Sequence, residues 1–186
     1  MDKEEAGMAD LSGKKVAVVA TDYFEEAELT EPVKALREAG AKVEIIAPED
    51  GKIKGLKHVE PGESVSVDKT LEQANPNDYD AAVFPGGAVN ADQLRVSQKA
   101  RDFLTKIMDE QGKPTAIICH APWMLASAGL ARGRKLTSYH TIADDMRNAG
   151  ADWVDEEVVV DGNLITSRDP DDLPAFNKAL ISALAG

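Results

Sequence analysis

The feature that most constrains the fold of this chain is a regular alternation of short apolar runs with longer amphipathic stretches. Continuous β-branched runs of four or five residues, bounded by Gly, Pro or Asp, are typical of strands buried on both faces. The amphipathic stretches carry apolar residues at helical spacing and end in glycine, as Leu29, Val33 and Leu36 do before Gly40. The apolar runs are VAVVA (16–20), VEIIA (43–47), AAVF (81–84) and TAII (115–118), and the amphipathic stretches are Glu28–Ala39 and Ala91–Glu110. This pattern predicts an α/β fold with a mostly parallel sheet and helices on both faces.

The length of the chain fits a single domain of ordinary size. Of its 186 residues, 43% are hydrophobic and 29% are charged, a composition that can build a core without disulfides or metals. Residues 1–13 are polar and show no periodicity, so we predict a disordered tail before one domain over residues 14–186. Gly51–Asp68 is predicted to form a hairpin at the sheet edge. A second hairpin is predicted from Trp153 to Thr166, with a closing helix from about Leu173.

The charge of the chain excludes two classes of partner. Its formal net charge is -12 and its sequence pI is about 4.7, whereas nucleic acids and anionic membranes need a basic surface. No apolar run approaches the roughly 18 residues of a membrane span, and the first residues are acidic, unlike a secretory signal. We therefore expect a cytoplasmic protein without nucleic-acid or membrane partners.

Cys119 is the single cysteine of the chain, so it forms no internal disulfide and is either a core residue or a reactive thiol. It follows the predicted strand TAII and precedes Pro122, a residue suited to the first turn of a helix. A helix N-terminus and a neighbouring base such as His120 lower the pKa of a thiol from its free value of about 8.5. We therefore predict a thiolate at Cys119, with an inert buried cysteine as the alternative.

Two other predicted strands also end in chemically useful residues. Ligands of parallel sheets bind beyond the carboxyl ends of the strands. Glu28 lies in an acidic segment after VAVVA, where acids also favour a helix start. The turn Pro85–Gly87 after AAVF can bring amide N–H groups to an oxyanion, or can be a plain turn. The third group that orients His120 is either Asp92 or Glu28, and the spacing does not choose between them.

No cofactor or metal is predicted. One cysteine and the scattered His58, His120 and His140 give no recognisable ligand spacing. The chain contains no GxxxxGK[ST] motif, and no GxGxxG follows its first strand.

Two further residues are weaker candidates for a substrate pocket. Trp123 follows the cysteine turn, where core packing is an equally good interpretation. Arg168 follows the strand LITS and could bind a carboxylate, although a structural ion pair is the commoner role.

Motifs along the whole chain from Val16 onward resemble those of a known family. In order they are FEEAEL, FPGG, DQLR, AIICHAPWML and LTSYHTIADDMRNAGADWVDEEVVVDGNLITSR. They are similar to the PfpI type of intracellular cysteine peptidase in the ThiJ/PfpI superfamily, which also contains the parkinsonism-associated protein and stress proteins described as deglycases or glyoxalases. The resemblance implies a flavodoxin-like three-layer sandwich related to class I glutamine amidotransferases.

The resemblance also implies roles for individual residues. Cys119 matches the family nucleophile and His120 its adjacent histidine. Glu28 matches the acid that approaches the cysteine sulfur. Gly86 and Gly87 match the backbone turn of the oxyanion site, to which the amide of His120 also contributes.

The third triad member of PfpI-type enzymes is a glutamate supplied by a neighbouring subunit. The nearest equivalent here is Asp92, which is one methylene shorter. The resemblance therefore implies a homodimer or higher homo-oligomer with its site at the subunit interface. Tyr139 stands near the place of a later histidine of the superfamily, with His140 one position on.

Three functions follow from these residues. The first is a Cys119-dependent hydrolase acting on a carbonyl centre, whose substrate is a short peptide, or methylglyoxal and its glycation adducts. The second is a stress sensor in which Cys119 oxidises to a sulfinic acid that Glu28 stabilises. The third is a non-catalytic holdase or scaffold with an inert cysteine.

Overall fold

The computed structural model describes residues 9–186 and confirms the predicted fold class. The strands of this part of the chain are β1 (Lys15–Val19), β2 (Phe24–Glu25), β3 (Lys42–Ala47), β4 (Lys52–Lys57), β5 (Glu60–Ser66), β6 (Lys69–Thr70), β7 (Ala81–Phe84), β8 (Thr115–Ile118), β9 (Lys135–Leu136), β10 (Asp152–Trp153), β11 (Val159–Asp161) and β12 (Leu164–Ser167). The helices are α1 (Glu26–Glu38), α2 (Ala88–Leu94), α3 (Gln98–Leu104), α4 (Trp123–Ala128), α5 (Ala143–Asn148) and α6 (Leu173–Ala185).

Seven strands form the central sheet, in the order β11-β12-β8-β7-β1-β3-β6. All neighbouring pairs are parallel except β11 and β12, which form an antiparallel hairpin at one edge. The carboxyl ends of β1, β7, β8 and β12 therefore lie side by side at one edge of the sheet. Residues that follow these four strands are brought together, although they are far apart in the chain.

Helices cover both faces of the sheet. Alternate residues of β1 point to opposite faces, so Val16 and Val18 pack with α1 and α6, whereas Ala17 and Val19 pack with α2, α3, α4 and α5. Both faces of β7 and β8 are buried for the same reason, and Thr115 of β8 is the one polar residue of these two strands. The result is the three-layer sandwich that the family resemblance implies.

The predicted hairpin within Gly51–Asp68 is present, but it belongs to a separate sheet. The antiparallel strands β4 and β5 pair with β2 in the order β2-β4-β5. This small sheet stands above the carboxyl ends of the central strands, since β2 follows β1 directly. It supplies one wall of the site described below.

Three sequence predictions about element boundaries are wrong. Residues 1–8 of the predicted tail lie outside the described residues. Leu11, however, is fully buried, and its N–H donates to the Ala39 carbonyl. The packed domain therefore begins before residue 14. Trp153 belongs to β10, which pairs in parallel with β9 and not with the C-terminal hairpin. The predicted helical stretch to Glu110 is two helices, because Ser97 caps a new one; α3 then continues as a π-helical turn over Thr105–Glu110.

Within residues 9–186, no helix combines the length and the apolar composition that crossing a bilayer requires.

Candidate active site

Cys119 sits at the sharp turn between β8 and α4. Its φ is +66°, in the left-handed region that costs an ordinary L-residue about 1–2 kcal/mol. Two backbone hydrogen bonds hold this conformation: the Cys119 N–H donates to Ser167 O at 3.0 Å, and the Tyr139 N–H donates to Cys119 O at 2.8 Å. A strained strand-to-helix turn that presents a nucleophile at the top of the sheet is the arrangement of a nucleophile elbow.

One cavity of about 800 Å³ lies above this turn. Cys119, Tyr23 and His58 all line it, and these are the non-glycine residues with positive φ between residues 9 and 186. Strained backbone clusters where a site must present side chains in one geometry. The other lining residues are Glu25, Glu28, Leu56, Val59, Gly87, Ala88, Val89, His120, Tyr139, Asp169, Pro170 and Asp171.

Glu28 brings a fully buried carboxyl group to the cysteine. Its Oε1 accepts the Gly86 N–H at 2.9 Å, while its Oε2 is buried without a hydrogen-bond partner. Gly86 is required for this approach, because a Cβ there would collide with Glu28 Oε1 and lie 2.7 Å from the Cβ of Cys119. The glycine turn therefore lets the acid and the thiol converge.

Burial raises the pKa values of both groups. Desolvation, followed by the negative charge of Glu25, raises the pKa of Glu28 from 4.5 to about 8. Desolvation, followed by the charge of Glu28, raises the pKa of the Cys119 thiol; the backbone N–H groups of Gly87 and His120 oppose this shift. The predicted lowering of the thiol pKa is therefore wrong, because burial outweighs the donors at the turn.

Glu28 and Cys119 act as one titrating pair. Ionisation of one group disfavours ionisation of the other, because the charge of Glu28 raises the pKa of the Cys119 thiol. In the singly ionised site the charge resides on the carboxylate or on the sulfur. A protonated Glu28 carries no charge and so does not disfavour a thiolate at Cys119. The backbone N–H groups of Gly87 and His120 then stabilise that thiolate.

His120 turns its ring toward the thiol. Its Nδ1 lies 3.3 Å from Cys119 Sγ. The ring stacks on Tyr139, with centroids 4.8 Å apart, and meets the edge of Trp123 at 5.3 Å. Burial, followed by the charge of His140, lowers the pKa of His120 below 6.5, so the imidazole is neutral at pH 7 and can accept a proton.

Three predicted site residues lie away from the cavity. Asp92 is exposed on α2 and makes no hydrogen bond to His120 within the described chain, so its proposed role in a neighbouring subunit stays a prediction. Trp123 does not line the cavity; its indole N–H donates to Asp145. Arg168 does not line the cavity; Asp155 and Asp172 occupy its guanidinium group in ion pairs, the commoner of the two roles expected for it.

Several lining residues were missed by the sequence reasoning. Leu56, His58 and Val59 come from the β4–β5 hairpin, and nothing in the sequence indicates that this hairpin folds over the cysteine. Asp169 and Asp171 follow β12. Ligands of parallel sheets bind beyond the carboxyl ends of the strands, and this principle, which located Cys119, could also have located these two residues.

No group of three or more His, Cys, Asp or Glu side chains in residues 9–186 is arranged to hold a metal ion.

Comparison with known proteins agrees with this fold. The family model described as "DJ-1/PfpI family" matches residues 14–183. The chain belongs to the DJ-1/PfpI family. It is 46% identical to "General stress protein 18" of Bacillus subtilis (strain 168) over 173 residues, which cover 92% of this chain and 98% of that protein. It is 45% identical to "Deglycase PfpI" of Pyrococcus furiosus over 170 residues, covering 91% and 99% of the two chains.

Another relative and two solved structures extend the comparison. "Protein/nucleic acid deglycase 2" of Escherichia coli (strain K12) is 45% identical over 174 residues, covering 92% of this chain and 98% of that one. Drosophila melanogaster DJ-1beta superposes with a TM-score of 0.84 at 33% identity, covering 93% and 91% of the chains. A two-domain protein of Anabaena variabilis with DJ-1/ThiJ/PfpI-like and ferritin-like domains gives 0.86 at 40% identity, over 91% of this chain and 47% of that one. The deglycase names of relatives support enzymatic activity in this family.

Proposed function

We propose that this protein is a stress-related cysteine enzyme whose Cys119 thiolate attacks a carbonyl carbon. The observation that carries the proposal is the left-handed turn at Cys119, which presents the sulfur to a cavity between the His120 imidazole and the buried Glu28 carboxyl. A nucleophile, a proton-accepting base and a buried acid together are the parts that acyl and carbonyl chemistry requires.

The common first step of the proposed reaction is addition of sulfur to the carbonyl. A C–S bond forms between Sγ and the carbonyl carbon, and the π electron pair moves to the carbonyl oxygen. The amide N–H groups of Gly87 and His120 lie beside the sulfur and would stabilise that oxyanion. Glu28, which holds its proton at neutral pH, would supply a proton to the adduct, and His120 would accept one from the incoming water.

The charge of the cavity favours neutral or cationic substrates. Three carboxylates and the protonated Glu28 line it, and no Lys or Arg side chain of the described residues does; the three are Glu25, Asp169 and Asp171. Arg168 follows β12 beside Asp169, but its ion pairs with Asp155 and Asp172 leave the charge of the cavity uncompensated. An adduct on a lysine or arginine side chain fits this field better than an acidic peptide, so deglycase activity ranks above peptidase activity.

The test measures a product that requires turnover. Methylglyoxal-treated N-acetylarginine is incubated with wild type, Cys119→Ser and the surface control Lys106→Gln, and lactate is measured by NMR. Lactate requires hydrolysis, whereas simple scavenging of methylglyoxal by a thiol forms none. We expect lactate from wild type and the control, and at least a 100-fold lower rate from Cys119→Ser, the scale on which loss of a nucleophile acts. Equal rates would refute the enzyme proposal, and a fluorogenic peptide assayed in parallel tests the peptidase alternative.

A second proposed function is redox sensing, which the unpartnered Glu28 Oε2 favours. An acid that keeps its proton could donate to a sulfinate oxygen on Cys119. Mild peroxide treatment followed by mass spectrometry tests this function. We expect a +O₂ adduct on Cys119 in wild type and faster loss of it to further oxidation in Glu28→Ala; absence of the adduct in wild type would end the proposal.

We further propose a homo-oligomer in the cytoplasm. A neighbouring subunit could bring a carboxylate such as Asp92 to His120, which has no acidic hydrogen-bond partner within residues 9–186. A free buried thiol suits a reducing compartment. Activity that falls on dilution to monomer, and in Asp92→Asn without loss of fold, would support this assembly.

A further inference from the structure

Asn90 is a buried polar residue with no role so far. It lies in α2, is fully buried, and uses both ends of its amide group. Its Nδ2 donates to the carbonyls of Pro85 at 2.9 Å and Gly86 at 3.0 Å, and its Oδ1 accepts the Thr21 N–H at 2.7 Å. A side chain with three such bonds at zero exposure fixes the backbone around it.

The two carbonyls that Asn90 holds belong to consecutive peptide groups. In a planar trans peptide the C=O and N–H bonds point in opposite directions. Holding the Pro85 carbonyl therefore turns the Gly86 N–H away from Asn90, and holding the Gly86 carbonyl turns away the Gly87 N–H. Both N–H groups reach the active site: Gly86 donates to Glu28 Oε1 at 2.9 Å, and the Gly87 N–H opposes the rise in the pKa of Cys119.

Two other backbone hydrogen bonds restrain the glycine turn, and one of them, from the Ala91 N–H to the Gly87 carbonyl at 3.0 Å, is the first bond of α2. Glycine has the widest backbone freedom of any residue, and Gly87 adopts a φ of +94°. The Gly86 carbonyl also accepts the Glu25 N–H, but that bond is long at 3.2 Å. Through Thr21, Asn90 ties the same turn to the loop after β1 that carries Tyr23 to the cavity wall.

We infer that Asn90 is a positioning residue that aims the Gly86 and Gly87 amide groups at Glu28 and Cys119. The inference rests on the proposed cysteine chemistry, because those amides matter as donors to the acid and to the reacting sulfur. Asn90 touches neither group itself and acts only through the peptide groups.

The experiment reads the thiol directly. The rate of iodoacetamide modification of Cys119 is measured from pH 5 to 10 in wild type, Asn90→Ala and Asn90→Asp. Asn90→Asp keeps the side-chain volume and the oxygen that accepts the Thr21 N–H, but it loses the NH₂ group that donates to the two carbonyls. Asn90→Ala also loses that donor and introduces no charge, so it separates the effect of the donor from the effect of charge. We expect the pH midpoint of modification to rise by about one unit in both variants, which is about a tenfold lower rate at pH 7. The lactate assay on the same samples separates failure of this inference from failure of the proposed enzyme, since alkylation needs no turnover.

Asn163 provides a matched control. Its Nδ2 also bridges two backbone carbonyls, those of Met108 at 2.8 Å and Lys113 at 2.9 Å, but near the opposite edge of the sheet. We expect Asn163→Asp to lower the melting temperature without moving the alkylation midpoint. If Asn90→Ala folds and its midpoint for Cys119 alkylation is unchanged, the inference is overturned. A shift in Asn90→Asp alone would also overturn it, because the negative charge of the new aspartate would explain that shift. Loss of fold in both Asn90 variants would also overturn it, since Asn90 would then serve folding and not positioning.

Discussion

The Nδ1 atom of His120 lies 3.3 Å from the Sγ atom of Cys119, although the two residues are adjacent in the chain. In a continuing strand their side chains would point to opposite faces of the sheet. The positive φ of Cys119 removes that alternation, because the turn swings both side chains into one cavity. The unusual backbone conformation of Cys119 therefore places the nucleophilic thiol beside the basic imidazole of His120.

This strain predicts the order of stability of two variants. Cys119→Ala and Cys119→Gly both remove the thiol, but only glycine adopts the left-handed conformation without a steric cost. We expect the glycine variant to be more stable than the alanine variant by about 0.5–1 kcal/mol, after the extra chain entropy of glycine is subtracted. Urea unfolding of the two variants measures the difference; a more stable alanine variant would show that the turn is unstrained.

Glu28 makes stability depend on pH. Its pKa rises from 4.5 in the unfolded chain to about 8 in the folded protein, so the folded state binds the proton more tightly. The contribution of protonated Glu28 is fully present below pH 4.5 and is lost as the pH rises through about 8. We expect Glu28→Gln to remove this loss of stability, which is on the order of 5 kcal/mol at 1.4 kcal/mol per pH unit.

Chemical denaturation of wild type and Glu28→Gln at pH 4.5 and pH 9 checks this dependence. The two proteins should differ more at pH 9 than at pH 4.5, with the variant more stable. Glu26→Gln is a suitable control, because Glu26 lies in the same first turn of α1 but bonds the exposed Glu63 N–H. A wild type that gains stability over the variant as the pH rises would contradict the assigned shift.

Gly86 should tolerate no side chain. A Cβ at this position would collide with Glu28 Oε1 and lie within 2.8 Å of the Ile118 carbonyl oxygen, so Gly86→Ala must displace the acid or the cysteine turn. We expect a loss of about 2–3 kcal/mol in unfolding free energy, the range of overpacked sites, and at least a tenfold fall in the alkylation rate of Cys119. Gly133→Ala is the control, since its Cβ meets no atom within 4 Å; it should cost about 1 kcal/mol for its positive φ and leave alkylation unchanged.

The carboxylates of the cavity should select substrates by charge. Asp171 is exposed and its side chain makes no hydrogen bond in the described structure, so Asp171→Asn changes the charge with little effect on the fold. We expect the ratio of kcat/KM for cationic over anionic adducts to fall two- to fivefold in this variant, and to fall in wild type when salt is raised to 0.5 M. If the ratio at low salt is the same in wild type and in Asp171→Asn, the charge of the cavity does not select the substrate.

The sequence predicts the central sheet well because its strands are buried on both faces and read as unbroken apolar runs. The same logic locates Cys119, since the residue after such a strand stands at the ligand-binding edge. The thiol pKa was predicted with the wrong sign, because the donors at the turn are visible in the sequence but the burial of Glu28 against the sulfur is not. The cavity wall from the β4–β5 hairpin was missed because it depends on long-range packing. For Arg168 the sequence offered a pocket role and an ion pair, and the structure has the ion pairs.

The rate at which iodoacetamide modifies Cys119 in the folded protein, followed from pH 5 to 10, tests the central claim most directly. We predict a rate that rises with pH, and a rise that lies at lower pH in Glu28→Gln, because the charge of Glu28 raises the pKa of the Cys119 thiol. A folded protein that resists modification up to pH 9, while its urea-unfolded form reacts, would show that Cys119 is an inert core residue.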